Sequence, residues 1–386
     1  VAGGNGRDEA RPSPVVAVEK VIGGLLWGSG AMDGIHIKAG KRVYRIIQDG
    51  GFHLDHVTTY VGPAVGPRWL IASGFDLTLL QNDVLGRKKP VLLVGSSSGA
   101  WRFAAWLQPE PEKSYRALLE AYIALTFKRK DKPATLLQSL SDVVNTYLEE
   151  DALPFALAKK KYRLAIITCR ARHLVASEIK WVQRLGLGIC FVMNALNRSF
   201  LYSFAERIVF YNGPKPPSFC LHDDFRGQYI PLSETNFKHV VLASGAIPLV
   251  VAGVRDIYGA PRGVYRDGGL TDYHLGHNYT AKDDEITLFF HHQERIIPGW
   301  LDKRLTYRQP AVDILENVLM VYPSREFILK LPGGKIPDRD DFKIFLDDPA
   351  QRKRNWRQVV EQSAPLGEQF LDLVESKKIK HVVEKI

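Results

Sequence analysis

The residues best suited to chemistry stand at positions 95–99, Gly95-Ser96-Ser97-Ser98-Gly99. They follow directly on the apolar run Val91–Val94. That order predicts a buried strand turning sharply into a helix from about Ala100 to Leu107. In a Gly-x-Ser-x-Gly turn the middle serine, here Ser97, is lifted above the end of a sheet as a nucleophile. Glycines on either side let the turn close and let a substrate approach the backbone. Amides at the start of the helix point toward the serine and can hold a developing oxyanion. The same pentapeptide also fits a plain strand-to-helix turn.

A serine hydroxyl needs a base to take its proton. The most informative acid is Asp267, in Val264-Tyr265-Arg266-Asp267-Gly268-Gly269-Leu270, where an extended run ends in a carboxylate and two glycines. An ordinary Asp-Gly turn reads the same way. Asp49-Gly50-Gly51 repeats the tripeptide behind Val43–Ile47, a run with strand character, and is expected to be a strand-to-loop turn. The chain has eleven histidines. His274, His277, His291 and His292 follow Asp267 and would be the bases if the order were Ser, Asp, His. No feature selects one of them over a structural role. His53-x-x-His56 and His274-x-x-His277 could place two ligands on a helical face, but both lack the Glu of His-Glu-x-x-His. Neither a metal nor a cofactor is expected.

With 386 residues, 45 % of them hydrophobic, the chain can bury a large core. Its net charge of +10 favours anionic partners, an acidic membrane surface among them, although a solvated basic surface accounts for it equally. The clusters Lys128-Arg129-Lys130, Lys159-Lys160-Lys161 and Arg352-Lys353-Arg354 lack the interleaved aromatics of a base-stacking platform, so nucleic acid is not expected. Cys169, Cys190 and Cys220 show no metal-ligand spacing and read as reduced, buried thiols. No apolar run reaches the length of a membrane span. Residues 1–20 read as a flexible tail without a signal-peptide core, and the expected location is cytoplasmic, peripheral to a membrane. The start without methionine is compatible with an earlier cleaved signal. Nothing in the sequence sets an oligomeric state.

Elements that could position these residues alternate along the chain. Strand-like runs are Val43–Ile47, Val91–Val94, Leu164–Cys169, Ile208–Tyr211 and Ile286–His291. Helix-like stretches are Glu112–Phe127, Ala134–Leu148, Leu174–Leu185, Phe237–Leu242 and a long one from about Pro349 to Glu375. This alternation predicts an α/β fold with a mainly parallel central sheet covered by helices on both faces, and a ligand site at the carboxyl ends of the strands. Pro214-Lys215-Pro216-Pro217 and Leu331-Pro332-Gly333-Gly334 are expected loops. One catalytic domain is expected over residues 21–330, with 331–386 as a helical extension packed on it.

Three motifs in order carry a family resemblance. Gly-x-Ser-x-Gly-Ala at Gly95–Ala100, Ala-Ser-x-Ala-Ile-Pro at Ala243–Pro248 and Asp-Gly-Gly at Asp267–Gly269 resemble those of the patatin-like phospholipases, over roughly Val43 to Tyr273. The resemblance implies a three-layer fold, a Ser97–Asp267 dyad without histidine, and hydrolysis of acyl esters of lipids with no calcium requirement. The family's glycine-rich oxyanion loop corresponds to Val61–Trp69, with Gly66 standing 31 residues before Ser97. Pro63 and Pro67 have no amide to give. Gly66-Pro67-Arg68-Trp69 is similar to a Gly-Pro-basic-Trp version of the loop, and the donors expected are Val65, Gly66 and Ser98. Gly28-Ser29-Gly30-Ala31 lies too far upstream and reads as an N-terminal loop. Trp69 and Trp101 are candidates for an acyl-chain pocket, with Phe103 and Trp106 nearby; core packing is the plainer reading of each. Two alternatives stay open: a Ser-His-Asp esterase or thioesterase, and a lipid-binding protein of the same fold that does not turn over.

Overall fold

In the computed structural model, which describes residues 34–386 except Leu275, the apolar runs become strands of one mixed sheet. They are β1 (Ile35–Ala39), β2 (Val57–Gly62), β3 (Val91–Ser96), β4 (Tyr162–Ala171), β5 (Ala205–Tyr211), β6 (Gln228–Pro231), β7 (Val254–Arg255), β8 (Val264–Asp267), β9 (Ile286–Phe290), β10 (Val318–Pro323) and β11 (Glu384–Lys385). Their spatial order is β11-β1-β10-β9-β2-β3-β4-β5-β6, with β8 on β4 and β7 on β8. Pairing is parallel from β10 through β9, β2 and β3 to β4, and antiparallel at β1/β10, β4/β5 and β4/β8. This is the expected α/β fold with a mostly parallel central sheet.

Among the described residues nine helices have eight residues or more: α1 (Lys41–Gln48), α2 (Ser73–Gln81), α3 (Ser98–Trp106), α4 (Pro111–Ala124), α5 (Pro133–Tyr147), α6 (Lys180–Leu196), α7 (Glu234–Ser244), α8 (Pro349–Gln362) and α9 (Ala364–Glu375). Alternate residues of the strands serve opposite layers. Tyr60 of β2 packs with Phe75 of α2 and Phe103 and Trp106 of α3, and Phe75 meets Phe370 of α9. Its neighbour Val61 joins Val94, Ala165, Ile167 and Phe289 under Phe219 and Tyr279 on the other face. Further along that face Cys169 and Ala171 pack on Leu187 and Cys190 of α6.

A polar knot lies inside the first layer. The Tyr60 hydroxyl donates to Asp76 Oδ1 at 2.6 Å, Tyr115 donates to Oδ2, and Arg102 Nε stands 3.2 Å from the same carboxylate. All four side chains are essentially excluded from solvent. They join β2, α2, α4 and α3, the helix that follows Ser97.

Several sequence expectations change. Val43–Ile47 is part of helix α1, not a strand; Val43 and Ile47, one helical turn apart, are its buried residues. A short apolar run does not distinguish the two periods. Asp49 therefore caps a helix instead of ending a strand. Leu174–Leu185 splits into a short 3-10 turn, His173–Ala176, and the longer α6. The final helical stretch breaks at Ser363, whose hydroxyl accepts the Gly74 amide at 3.0 Å. A methyl at Gly74 would lie 2.1 Å from the Ser363 carbonyl oxygen, so α2 and the start of α9 meet backbone to backbone. Residues after 331 belong to the same compact unit, which extends from Gly34 to Ile386. The tail of residues 1–20 and the Gly28–Ala31 loop lie outside the described residues. No helix among the described residues is long and apolar enough to cross a membrane.

Candidate active site

Register brings Ser97 and Asp267 together. One edge of β4 pairs with β5. The other is shared by β3, which runs parallel up to Ser96 opposite Ile167, and β8, which arrives antiparallel and ends with Asp267 opposite Thr168. The carboxyl ends of β3 and β8 thus face each other across one residue of β4. Ser97 Oγ donates to Asp267 Oδ2 at 2.7 Å. The second oxygen, Oδ1, accepts the Gly269 amide at 2.8 Å. The two motif glycines after the aspartate are packed tightly: a methyl at Gly268 would fall 2.1 Å from the Ile167 carbonyl oxygen.

Ser97 has φ +53° and ψ −123°, a left-handed conformation that is costly for a residue with a Cβ. The flanking glycines are there for room. A methyl at Gly99 would sit 1.9 Å from the Gly62 carbonyl oxygen, and one at Gly95 2.5 Å from the Ala100 backbone. Strain at Ser97 makes a stability prediction. Ser97→Gly should be more stable than Ser97→Ala by about 1 kcal/mol, because only glycine accepts this φ without penalty. Urea unfolding of the two variants checks it; equal midpoints would mean that the turn is unstrained.

The Ala243–Pro248 motif acts as a clamp, a role that small residues alone did not reveal. Buried Ser244 accepts the Ser97 amide on its Oγ at 2.8 Å and donates to the Ile167 carbonyl at 2.7 Å. Two residues on, the Ala246 carbonyl accepts the Asp267 amide at 3.0 Å. One short segment thus fixes the backbone of both dyad members.

The expectation for the Val61–Trp69 loop needs one correction. Val65 is not a free donor: its amide already bonds Ser98 Oγ at 3.3 Å and the Pro63 carbonyl at 3.1 Å. The Ser98 hydroxyl therefore braces the loop, while the backbone amides of Gly66 and Ser98 have no hydrogen-bond partner among the described residues. Both residues line the same cavity as Ser97. Gly66 takes φ +56°, and a methyl there would approach Arg339 Nε at 3.1 Å.

That cavity has a volume of about 490 Å³. Trp101, Tyr122, Phe127, Leu140, Val251 and Phe342 give it apolar walls, and no acidic side chain lines it. Trp101 is fixed by an indole bond to the Val241 carbonyl at 2.8 Å. Trp69 is not a wall residue. It lies one layer behind, edge-on to Tyr115 and to Tyr122. Arg339, Phe342, Lys343 and Leu346, from the expected helical extension packed on the domain, also line the cavity. No sequence motif marks them, because Arg339 joins the site from 242 positions beyond Ser97 along the chain.

Burial holds the Asp267 carboxyl above the usual carboxylate range; the Ser97 hydrogen bond, Arg339, the Gly269 amide and Lys303 pull it part of the way back. Arg339 makes no ion pair among the described residues. Lys303, stacked 4.2 Å over the Tyr273 ring, is itself lowered to about 7 by burial and by Arg339 and Arg68.

No histidine bonds Ser97 or Asp267. His274, His291 and His292 form a buried group whose ligand atoms lie within 4.8 Å of one another. His274 Nε2, His291 Nε2 and His292 Nδ1 have no hydrogen-bond partner among the described residues. His274 Nδ1 accepts the Ile297 amide at 2.9 Å, so the neutral ring carries its proton on Nε2. His291 Nδ1 donates to the Gln293 carbonyl, leaving Nε2 as a lone pair. The His274 and His291 rings are T-shaped, with centroids 4.1 Å apart. Burial, and after it His291, Lys303 and Arg68, lowers the basicity of His274 and His292. His277 stands 3.6 Å from Asp272, whose carboxylate is held by Arg207 at 2.7 and 3.0 Å. Asp49 is the C-cap of α1. The three cysteines are free, buried thiols, pushed up to about 12 chiefly by desolvation.

Comparison with protein-family models gives no match, and comparison with curated proteins gives none either.

Proposed function

We propose that the chain is a serine acyl hydrolase acting on lipid esters, of the patatin-like type. The observation that carries this reading is the 2.7 Å hydrogen bond to Asp267 from Ser97 Oγ, a residue that lines an apolar cavity. Ser97 attacks the ester carbonyl as Asp267 takes its proton. The carbonyl oxygen becomes an oxyanion between the Gly66 and Ser98 amides. Collapse expels the alcohol, which receives the proton from Asp267, and leaves the acyl group on Ser97. Water then attacks that ester with Asp267 again as base, releasing the acid and restoring the serine. An acyl chain fits the walls around Trp101 and Phe342, and the guanidinium of Arg339, without an ion pair among the described residues, offers a positive charge to an anionic head group.

A fluorophosphonate probe tests the nucleophile, and p-nitrophenyl esters of increasing chain length test the pocket. Expected results are labelling of the parent but not of Ser97→Ala, and a larger kcat/KM for a medium-chain than for an acetyl ester. A parent protein that neither takes the label nor releases p-nitrophenol would leave a binding protein in place of an enzyme. The same esters serve the alternative with histidine as base: unaltered turnover on replacing Asp267, with loss on replacing one of the buried histidines, would favour it.

A further inference from the structure

Helix α6 is apolar on two sides. Leu187 and Cys190 are buried against the sheet. On the opposite side Trp181 is 68 % exposed, Leu185 52 %, Ile189 41 %, Val192 56 % and Leu196 73 %. At 3.6 residues per turn these five side chains fall within an arc of about 80°. Ile179, just before the helix, is also exposed. A continuous apolar face of this kind is unfavourable in water and marks an interaction surface. The helix carries Lys180 and Arg184 and no acidic residue. It is also tied to the cavity wall. Gln183 accepts the Leu249 amide at 2.6 Å, and the next residue, Val250, both lines the cavity and reaches solvent.

We propose that α6 docks on an anionic lipid surface, lying in the interface with Trp181, Leu185, Ile189, Val192 and Leu196 among the acyl chains and Lys180 and Arg184 at the head groups. Charge complementarity selects this occupant. A second copy packed face to face would bring the basic ends of two such helices into one interface with no acid on either helix. Anionic head groups neutralise both charges. Val250 then places the cavity rim beside the surface from which an acyl ester enters. The purpose of docking rests on the acyl-hydrolase reading, but docking itself needs no turnover.

The test uses full-length protein with Ser97→Ala and vesicles of phosphatidylcholine with phosphatidylglycerol. The parent should co-float with the vesicles, and Leu185→Glu/Val192→Glu/Leu196→Glu should lower the bound fraction about tenfold or more. With Ser97 restored, the triple variant should hydrolyse a soluble short-chain ester at the parental rate. A second measurement does not depend on the folding of that variant: brominated lipid should quench part of the tryptophan fluorescence of the parent, and Trp181→Phe should abolish that part. Parental vesicle binding by a folded triple variant, no binding by the parent, or quenching that survives Trp181→Phe would overturn the proposal. So would a parental dimer that the triple variant dissociates while vesicle binding is unchanged. Vesicle binding through α6 without any ester hydrolysis would keep the docking helix and remove the hydrolase.

Discussion

Ser97→Ala and Asp267→Asn are each expected to lower kcat on a soluble p-nitrophenyl ester by about 10³-fold or more while the fold persists. In the proposed mechanism the serine supplies the attacking oxygen, and among the described residues Asp267 is the carboxylate hydrogen-bonded to it. The double variant should be no slower than the worse single one, because the two side chains act as a unit. Additive losses would mean that they act separately. The pH profile has a defined sign. Asp267 must be ionised to accept the proton, and burial raises its pKa. Activity should therefore be present above that raised value and fall as pH drops through it, along a limb displaced upward from the ordinary carboxylate range. Stability should run the other way. A buried carboxyl whose folded pKa lies above its unfolded value costs stability once ionised, so stability is lost as pH rises from the unfolded to the folded value. Asp267→Asn removes that titration, and its melting temperature at neutral pH should equal or exceed the parent's. A clearly less stable Asp267→Asn would show that the carboxylate serves the fold.

The second large effect is on stability. Asp76→Ala should destabilise the protein by about 3–5 kcal/mol. Arg102 is 1 % exposed and its charge is balanced by Asp76 at 3.2 Å; without that partner a guanidinium is left buried and uncompensated. Tyr60 and Tyr115 lose their acceptor at the same time. Such a loss is a large part of the total stability of a typical domain. Adding Arg102→Leu should recover part of it, because removing both partners of a buried pair is milder than removing one. Urea midpoints of the parent, single and double variants decide this. A single variant within about 1 kcal/mol of the parent would mean that water reaches the cluster.

Local sequence already determined much of the site. Val91–Val94 before Gly95-Ser96-Ser97-Ser98-Gly99 specifies a strand, a tight turn and a helix because the hydrophobic run, the glycines and the helix start all agree over ten residues. Asp267 is legible for the same reason: an extended run meets a Gly-Gly turn. Alternation of strand and helix segments likewise conveyed the α/β class. It did not separate helix α1 from a strand at Val43–Ile47, since five apolar-rich residues fit both periods.

Only the tertiary structure decided how these parts work together. That β3 and β8 share one edge of β4, and so bring Ser97 to Asp267 across 170 residues of chain, is a matter of strand register. Whether an amide is free depends on what lies opposite it, which is why Val65 is engaged by Ser98 while Gly66 is open. The cavity is completed by Arg339 and Phe342, and Trp69 is kept out of it by one layer of packing, neither of which any local pattern records. The sequence by itself singled out Ser97 and Asp267 as candidates, because their turn geometry is local; long-range pairing and burial chose their partners, the acidity of Asp267 and the surface that α6 leaves uncovered.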